Sequence, residues 1–468
     1  AIHPDNPEFA EARKQAIPML TRAELLGQIM KNYHTAIGIS GTHGKTTTTS
    51  MLSMIFMEAQ KDPTISVGGI LPEIGGNIRV GHSDLFLTEA CEYTNSFLSF
   101  FPTVAVILNI EEDHLDFFKD LADIRNSFHR FAKLLPEDGL LVLNGEIAHP
   151  EEITEDVKAR VINYGLTGSE DYTAKNISYD KKGCASFQLI RHGKEEGSVT
   201  LHVPGLHNVS NALASLATSM ELGITFAEAC DGLSMFHGTD RRFQYKGEVN
   251  GFTIIDDYAH HPTEIEATLK AAANYPHKEL WCVFQPHTYT RTKAFMQQFA
   301  KALSHADHIV LADIYAARET DTLGISSQTL QAEIEKIDGV VKTENSLANS
   351  TTLAKVVVDP LKAMQYGLTP IQVGMTIHNV LSGMNPLTIT NDGSEYAVWL
   401  EYPEGSYDDL NLLMDLGLDT SFGTVVPLRD IAEINYAQSQ ETIMKQDGLY
   451  QVSVTSTMTS EKIFDAQN

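Results

Sequence analysis

Positive charge is scarce in this chain: 34 Lys and Arg stand against 61 Asp and Glu over 468 residues, a formal net charge of -27. A protein that grips nucleic acid or an anionic membrane through a basic face needs clustered cations, so neither is expected as a partner. An anionic ligand would have to be met by a local cationic site. Cysteine is scarce too. Cys91, Cys184, Cys230 and Cys282 lie far apart with no metal-like pairing, which predicts a reduced compartment of cytoplasmic type and buried thiols. No run approaches the ~20 apolar residues that span a bilayer, so no membrane span is expected, and the amino terminus AIHPDNPEFAEARK has no signal-peptide pattern. That terminus also lacks an initiator Met, which predicts a processed or incomplete start.

What remains is ordinary globular material, 43% hydrophobic and 20% charged, long enough for about three domains. The first thirty-odd residues read as a helix, a short strand at IPML and a second helix opened by a capping box from Thr21 to Glu24. From residue 35 the pattern becomes strand (TAIGIS), glycine-rich turn (GTHGK) and helix (TTTTSMLSMIFMEA). Apolar runs at DLFLTEA, TVAVILNI and LLVLNG, with helical stretches between them, predict a mostly parallel α/β sheet. Residues 170–204 alternate around polar turns, as an antiparallel addition would. Helices follow at NVSNALASLATSM and TFAEACDGLSMF. A further α/β unit begins near 238, with strands at GFTIIDDY, ELWCVFQP and HIVLADIY. Beyond 330 the chain holds one arginine (Arg429), one histidine (His378) and no cysteine, and reads as a separate α+β unit.

The segment GTHGKTTT, residues 41–48, stands where a phosphate-binding loop belongs, between a strand and a helix. There free backbone N–H groups and the helix N-terminus favour anions; Lys45 can reach terminal phosphates and Thr46 can ligate Mg2+. The common signature wants Gly at position 39, which is Ile here, so the loop is a shortened variant. Glu89 ends one apolar strand and His114 follows another, and strand carboxyl ends of a parallel sheet gather beside such a loop, where the pair can hold a metal ion or order a nucleotide. A hydrogen-bonded structural role is the alternative for each. Asn208 and Asn211, one turn apart, can read an adenine edge or cap their helix. In DRRFQ, Arg241 and Arg242 fall at a predicted domain boundary, from which a guanidinium can reach a phosphate. DDYAHHPTE (256–264) and QPHTYTRT (285–292) each place a polar cluster at a strand end before a helix.

GTHGKTTT, TEACEY, NIEEDHLD, GLHNVSNALAS, GTDRRF, DDYAHHPTEI and FQPHTYTRT, in this order and spacing, closely resemble the Mur ligases, in particular their L-alanine-adding branch. The resemblance spans about residues 1–330. It implies an ATP-dependent amide ligase of peptidoglycan precursor synthesis, using UDP-N-acetylmuramate and L-alanine as substrates and ATP and Mg2+ as cofactors. A recycling ligase that adds a murein peptide to the same sugar nucleotide is the rival within the family, and an inactive nucleotide-binding fragment is the rival outside it. By resemblance, Gly41, Thr42, His43, Gly44, Lys45, Thr46 and Thr47 cradle the ATP phosphates. Thr46, Glu89 and His114 hold Mg2+, Asn208 and Asn211 sit near adenine, and Arg241 and Asp256 close the nucleotide site from the third domain. Lys45, His114, His287 and Arg291 carry the catalytic roles, the last two facing the muramyl and amino-acid substrates. Many relatives have a second Arg where Thr288 stands.

The implied domains are a remnant of a UDP-binding domain (1–33), an ATP-binding central domain (34–237) and a partial Rossmann-like third domain (238–330). Residues 331–468 resemble instead the extramembrane porter region of resistance-nodulation-division efflux transporters, through KIDGVVKTENSL, DPLKAMQYGLTPIQVGMTIHNVLSG and GTVVPLRDIAEI. A chimeric chain with a seam near Thr329 is the expectation that follows.

Overall fold

The computed structural model describes residues 5–345 apart from 318, 320 and 321, and 350–458 apart from 392, 393, 404, 408, 441–443, 447, 448, 452 and 453. Two compact units divide the chain, residues 1–345 with 452–468 and residues 346–451.

In the first unit, α1 (Pro7–Lys14) and α2 (Arg22–Met30) precede the sheet. The expected capping box at Thr21 is present, but IPML between the helices is not a strand. Ile17, Met19 and Leu20 are largely exposed, and no neighbouring strand among the described residues offers them a ladder. From β1 (Thr35–Ser40) the chain runs through α3 (Lys45–Glu58), β2 (Thr64–Leu71), β3 (Gly76–Arg79), β4 (Leu85–Glu89), β5 (Val104–Ile107), α4 (Leu121–Ala132) and β6 (Leu140–Asn144). It continues with α5 (Glu151–Thr154), β7 (Arg160–Gly165), β8 (Tyr172–Tyr179), β9 (Cys184–Arg191), β10 (Lys194–Pro204), α6 (Leu206–Glu221) and α7 (Phe226–Ser234). Ten strands form one sheet, in the order β10-β9-β8-β7-β6-β5-β1-β4-β2-β3. The interior from β2 to β8 is parallel, and the 170–204 region extends it antiparallel, as its alternation predicts.

The parallel strands are apolar almost throughout because both faces are covered. Successive residues point to opposite sides. Ile37, Ile39, Val104, Val106, Leu140 and Val142 enter one core with α3, α6 and α7. Ala36, Ala105, Ile107, Leu141 and Leu143 enter another with Phe128 and Phe131 of α4. Later strands flank β1 on both sides, so the winding direction reverses at its carboxyl end, the place where open α/β sheets bind ligands.

The next segment contains β11 (Gln244–Val249), β12 (Phe252–Asp256), α8 (Pro262–Ala273), β13 (Trp281–Phe284), α9 (Tyr289–Ala294), α10 (Met296–Leu303), β14 (His308–Leu311), α11 (Ser327–Ile334) and β15 (Val340–Asn345). β13 and β14 pair in parallel, with Val454–Met458 antiparallel between β14 and β15. β12 departs from expectation. It pairs with β11 as a separate hairpin, and its Phe252 and Ile254 are exposed rather than buried on a sheet face. Thr329 lies inside α11, whose Leu330 and Ile334 pack into the same core as Phe299 and Leu303 of α10, so packing is continuous across that position.

The second unit pairs Ser350–Val358 with Ala432–Gln440, and collects Ala363, Val373, Leu413, Leu418 and Leu428 into a small core. No helix among the described residues is long and apolar enough to cross a membrane. The thiols are free, but not buried as expected: Cys91 is exposed and the other three are half-buried.

Candidate active site

Two glycines shape the loop between β1 and α3. Gly41 has φ 147° and Gly44, the N-cap of α3, has φ 82°. A Cβ at Gly44 would lie 2.6 Å from Asn211 Oδ1, so the loop presses against α6 where only glycine fits. No side chain caps α3, and an uncapped helix N-terminus favours anions. Asn109, just past β5, pins the loop: it accepts from His43 N–H at 2.7 Å and donates to His43 C=O at 3.1 Å. Thr42 Oγ1 accepts from Glu111 N–H at 2.9 Å.

Lys45 Nζ donates to Gly41 O at 2.5 Å, to Thr42 O at 3.1 Å and to Glu92 Oε2 at 2.9 Å. Burial alone would lower the Lys45 pKa, but the charge and hydrogen bond of Glu92, together with the nearby Cys91 and Glu89, outweigh it and the ammonium is held protonated more firmly than usual. Thr46 and Glu89 meet at the same stretch of β2. Glu89 accepts from Gly68 N–H at 2.5 Å, and a Cβ at Gly69 would lie 3.0 Å from Thr46 Cγ2. Thr46 approaches this stretch through its methyl and Glu89 through its carboxylate; a Thr hydroxyl and a carboxylate are hard oxygen donors of the kind Mg2+ takes. His114 Nε2 lies 3.7 Å from Glu92 Oε1 and 3.7 Å from Asp113 Oδ2, and burial holds its pKa down.

Beside the loop is a cavity lined by His43, Asn208, Asn211, Arg242, Asp257 and Glu264. Asn208 does not cap its helix with its side chain; its Nδ2 donates to Pro204 O at 2.7 Å, and Asn211 Nδ2 donates to Asn208 Oδ1 at 3.1 Å. The cavity wall takes the neighbours of two expected residues. Arg241 is exposed in a turn with φ 59°, while Arg242 faces the cavity 3.8 Å from Glu264. Asp256 lies 3.7 Å from Lys246 on the hairpin, while Asp257 is turned inward, where burial raises its pKa. Alternation at a strand end separates Asp256 from Asp257 and turn geometry separates Arg241 from Arg242, and a motif spelled DRR or DDY does not say which member points in.

The segment after β5 receives three groups from the 238–317 region. Thr263 Oγ1 donates to Glu111 Oε2 at 2.7 Å, His261 Nε2 meets Glu112 O at 3.0 Å, and Arg291 donates to Asp113 Oδ1 from Nε at 3.0 Å and Nη2 at 2.9 Å. Burial would raise the Asp113 pKa, yet His114 and Arg291 bring it down to about 2. Arg291 Nη1 also lies 3.2 Å from His287 Nδ1, and the His287 ring stacks on Tyr315 at 5.6 Å. A chain of polar contacts thus runs Lys45, Glu92, His114, Asp113, Arg291 from the loop into the third segment, with ion pairs at its two ends.

Among the described residues, the trio His43, Glu111 and His261 is close enough to hold a metal ion. Its nitrogens are already engaged. His43 Nδ1 lies 3.2 Å from Glu264 Oε1, and Nε2 lies 3.4 Å from Glu111 Oε2, in ion-pair range though short of a well-formed hydrogen bond. His261 Nδ1 accepts from Thr263 N–H at 3.4 Å. Burial opposes the His43 charge, but Glu111 and Glu264 lift its pKa to about 9, whereas burial and the neighbouring His43 push His261 down to about 4. The group is a charge latch between the two segments.

With this geometry, the chain matches the Mur ligase middle domain over residues 39–219 and the Mur ligase, glutamate ligase domain over residues 241–367. It is 58% identical over 338 residues to the UDP-N-acetylmuramate--L-alanine ligase of Lachnospira eligens, covering 72% of this chain and 74% of the relative. The chain belongs to the Mur ligase family. Solved members of that family share its fold. The UDP-N-acetylmuramate-alanine ligase of Thermotoga maritima has a TM-score of 0.60 at 29% identity, over 72% of this chain and 73% of the other. The murein peptide ligase of Psychrobacter arcticus has a TM-score of 0.54 at 26% identity, over 66% and 69%. Mur ligases are ATP-dependent amide ligases. None of these matches supports the transporter resemblance of residues 331–468, and the glutamate ligase domain match itself continues to residue 367.

Proposed function

We propose that this chain joins L-alanine to UDP-N-acetylmuramate, with ATP cleaved to ADP and phosphate, in the cytoplasm. The observation that carries this reading is the convergence of a phosphate loop, at the winding reversal of one α/β sheet, with Arg291 and His287 of a second segment, linked through Asp113 and His114. The domain reading that goes with it assigns ATP to residues 34–237 and closure of the site to 238–330.

In the reaction, a carboxylate oxygen of the muramyl group attacks the γ-phosphorus of ATP and ADP leaves, giving an acyl phosphate. The amine of L-alanine then attacks the acyl carbon, and phosphate leaves. Bringing a carboxylate to a polyanion needs neutralised charge, which Lys45 and the N-terminus of α3 supply in a chain otherwise strongly acidic. Thr46 and Glu89 are the residues that would hold Mg2+, with His114 nearby as a further candidate, and the ion would add electrophilic polarisation of the transferring phosphoryl group. Asn208 and Asn211 offer amides toward adenine from the cavity wall, and Arg242 and Asp257 take the part expected of Arg241 and Asp256. Ties from His261, Thr263 and Arg291 keep the third segment over the loop, which shields an acyl phosphate from water.

Product mass decides between this and its rivals. UDP-N-acetylmuramate incubated with ATP, Mg2+ and an equal mixture of L-alanine and a murein tripeptide should give the alanyl product. The tripeptide product alone would make this the recycling ligase, toward which the Psychrobacter likeness points. Neither product from a folded, ADP-binding chain would leave a nucleotide-binding fragment.

A further inference from the structure

Lys45 has three N–H donors, and all three are taken: by Gly41 O, Thr42 O and the Glu92 carboxylate. A phosphate oxygen can bond this ammonium only by displacing one of them. The two carbonyls belong to the loop backbone, which Asn109 and the Thr42 contact with Glu111 hold in place. Glu92 is the one acceptor on a side chain, and it has a second partner within reach, His114, whose Nε2 lies 3.7 Å from Oε1. Its carboxylate is 2% exposed, so its hold on Lys45 is little screened by water.

We propose that Glu92 is a positioning residue that competes with nucleotide phosphate for Lys45 and so weakens the grip of the loop on ADP. The inference rests on the reading of residues 41–47 as the nucleotide phosphate site. In a ligase whose product ADP must leave before the next ATP enters, a competing carboxylate aims Lys45 and limits how long it holds the product. A group that merely balanced a buried charge would have the opposite signature, because its loss would disorder Lys45 and weaken binding.

The test is the dissociation constant of ADP for the full chain by calorimetry, in the parent, Glu92→Gln, Lys45→Ala and the double variant. Glu92→Gln should bind ADP about tenfold more tightly, equivalent to ~1.4 kcal/mol, and in turnover should lower both KM for ATP and kcat. In the Lys45→Ala background the same change should give no gain. Equal or weaker ADP binding by folded Glu92→Gln overturns the proposal, as does a gain that persists without Lys45. Should Glu92→Gln not fold, Glu92→Asp, whose shorter arm loosens the pair, is expected to bind ADP at least threefold more tightly, and a parent-like constant would count against the idea. A parent that binds no ADP defeats the nucleotide reading itself, whereas a binding parent with no gain in the variant defeats only this inference.

Discussion

At His43 one imidazole stands between Glu111 and Glu264, and the pair of carboxylates more than offsets the cost of burying its charge. A folded-state pKa of about 9 against an ordinary ~6.5 means that the contribution is complete below about pH 6.5 and is lost as pH rises through about 9. His43→Gln should therefore cost roughly 1.5–3 kcal/mol at pH 6 and much less near pH 9.5, read as the difference in Tm between parent and variant across that range. A constant difference across that range would mean that the imidazole is neutral. The same neighbourhood marks the reach of sequence reading at this scale. Motif type and element context put Lys45 on the loop and Asn208 and Asn211 on the helix beside it, and that is where the structure has them. Glu92, Asn109 and Asp113 stood inside the quoted motifs without a role, since only the fold brings Glu92 to Lys45 and Asp113 to Arg291. Arg242 and Asp257, rather than Arg241 and Asp256, line the cavity, because local backbone geometry sets which neighbour faces in.

Among the elements, the short segment between β5 and α4 does the most joining. It fastens the phosphate loop through Asn109 and Glu111, and takes Thr263, His261 and Arg291 on its other side. Arg291 and Asp113 are both nearly buried, with side chains 10% and 8% exposed, so removing one partner leaves the other charge uncompensated. Arg291→Gln should cost about 3 kcal/mol and loosen the 238–317 segment, seen as faster amide hydrogen exchange in α8 and α9 with β1 and β5 unchanged. Uniform exchange across both segments would contradict the latch. At the end of α6 away from the cavity, Glu221 accepts from Tyr172 on β8 at 2.7 Å and from Arg191 on β9 at 3.0 Å, and pairs with Arg160 on β7. Burial would raise its pKa, but these donors bring it to about 2. The resulting stability is full above the ordinary carboxylate range near ~4.3 and is lost as pH falls toward 2. Glu221→Gln should lower Tm at pH 7, with a penalty that shrinks below about pH 4. The parallel strands were readable from their continuous apolar runs. β12 was readable as a strand but its hairpin pairing was not, and IPML is no strand at all, because a short apolar run does not state whether a neighbouring strand is present to pair with it.

Across the whole molecule, a net charge of -27 leaves little long-range attraction for nucleotide, so binding depends on the few cations gathered at the loop and should weaken markedly when one is removed. The composition change near residue 330 falls within a helix that packs continuously, while the compact units part at 345/346, which composition alone did not reveal. The central claim is that one site couples ATP cleavage to amide formation. Phosphate release by the full chain with Mg2+ and ATP tests it most directly, with each substrate withheld in turn and beside Lys45→Ala. Release that requires both UDP-N-acetylmuramate and L-alanine, and that falls by at least 100-fold in Lys45→Ala, about 2.7 kcal/mol of transition-state stabilisation, is the predicted result. Release that proceeds without either substrate, or that survives the loss of Lys45, would contradict it.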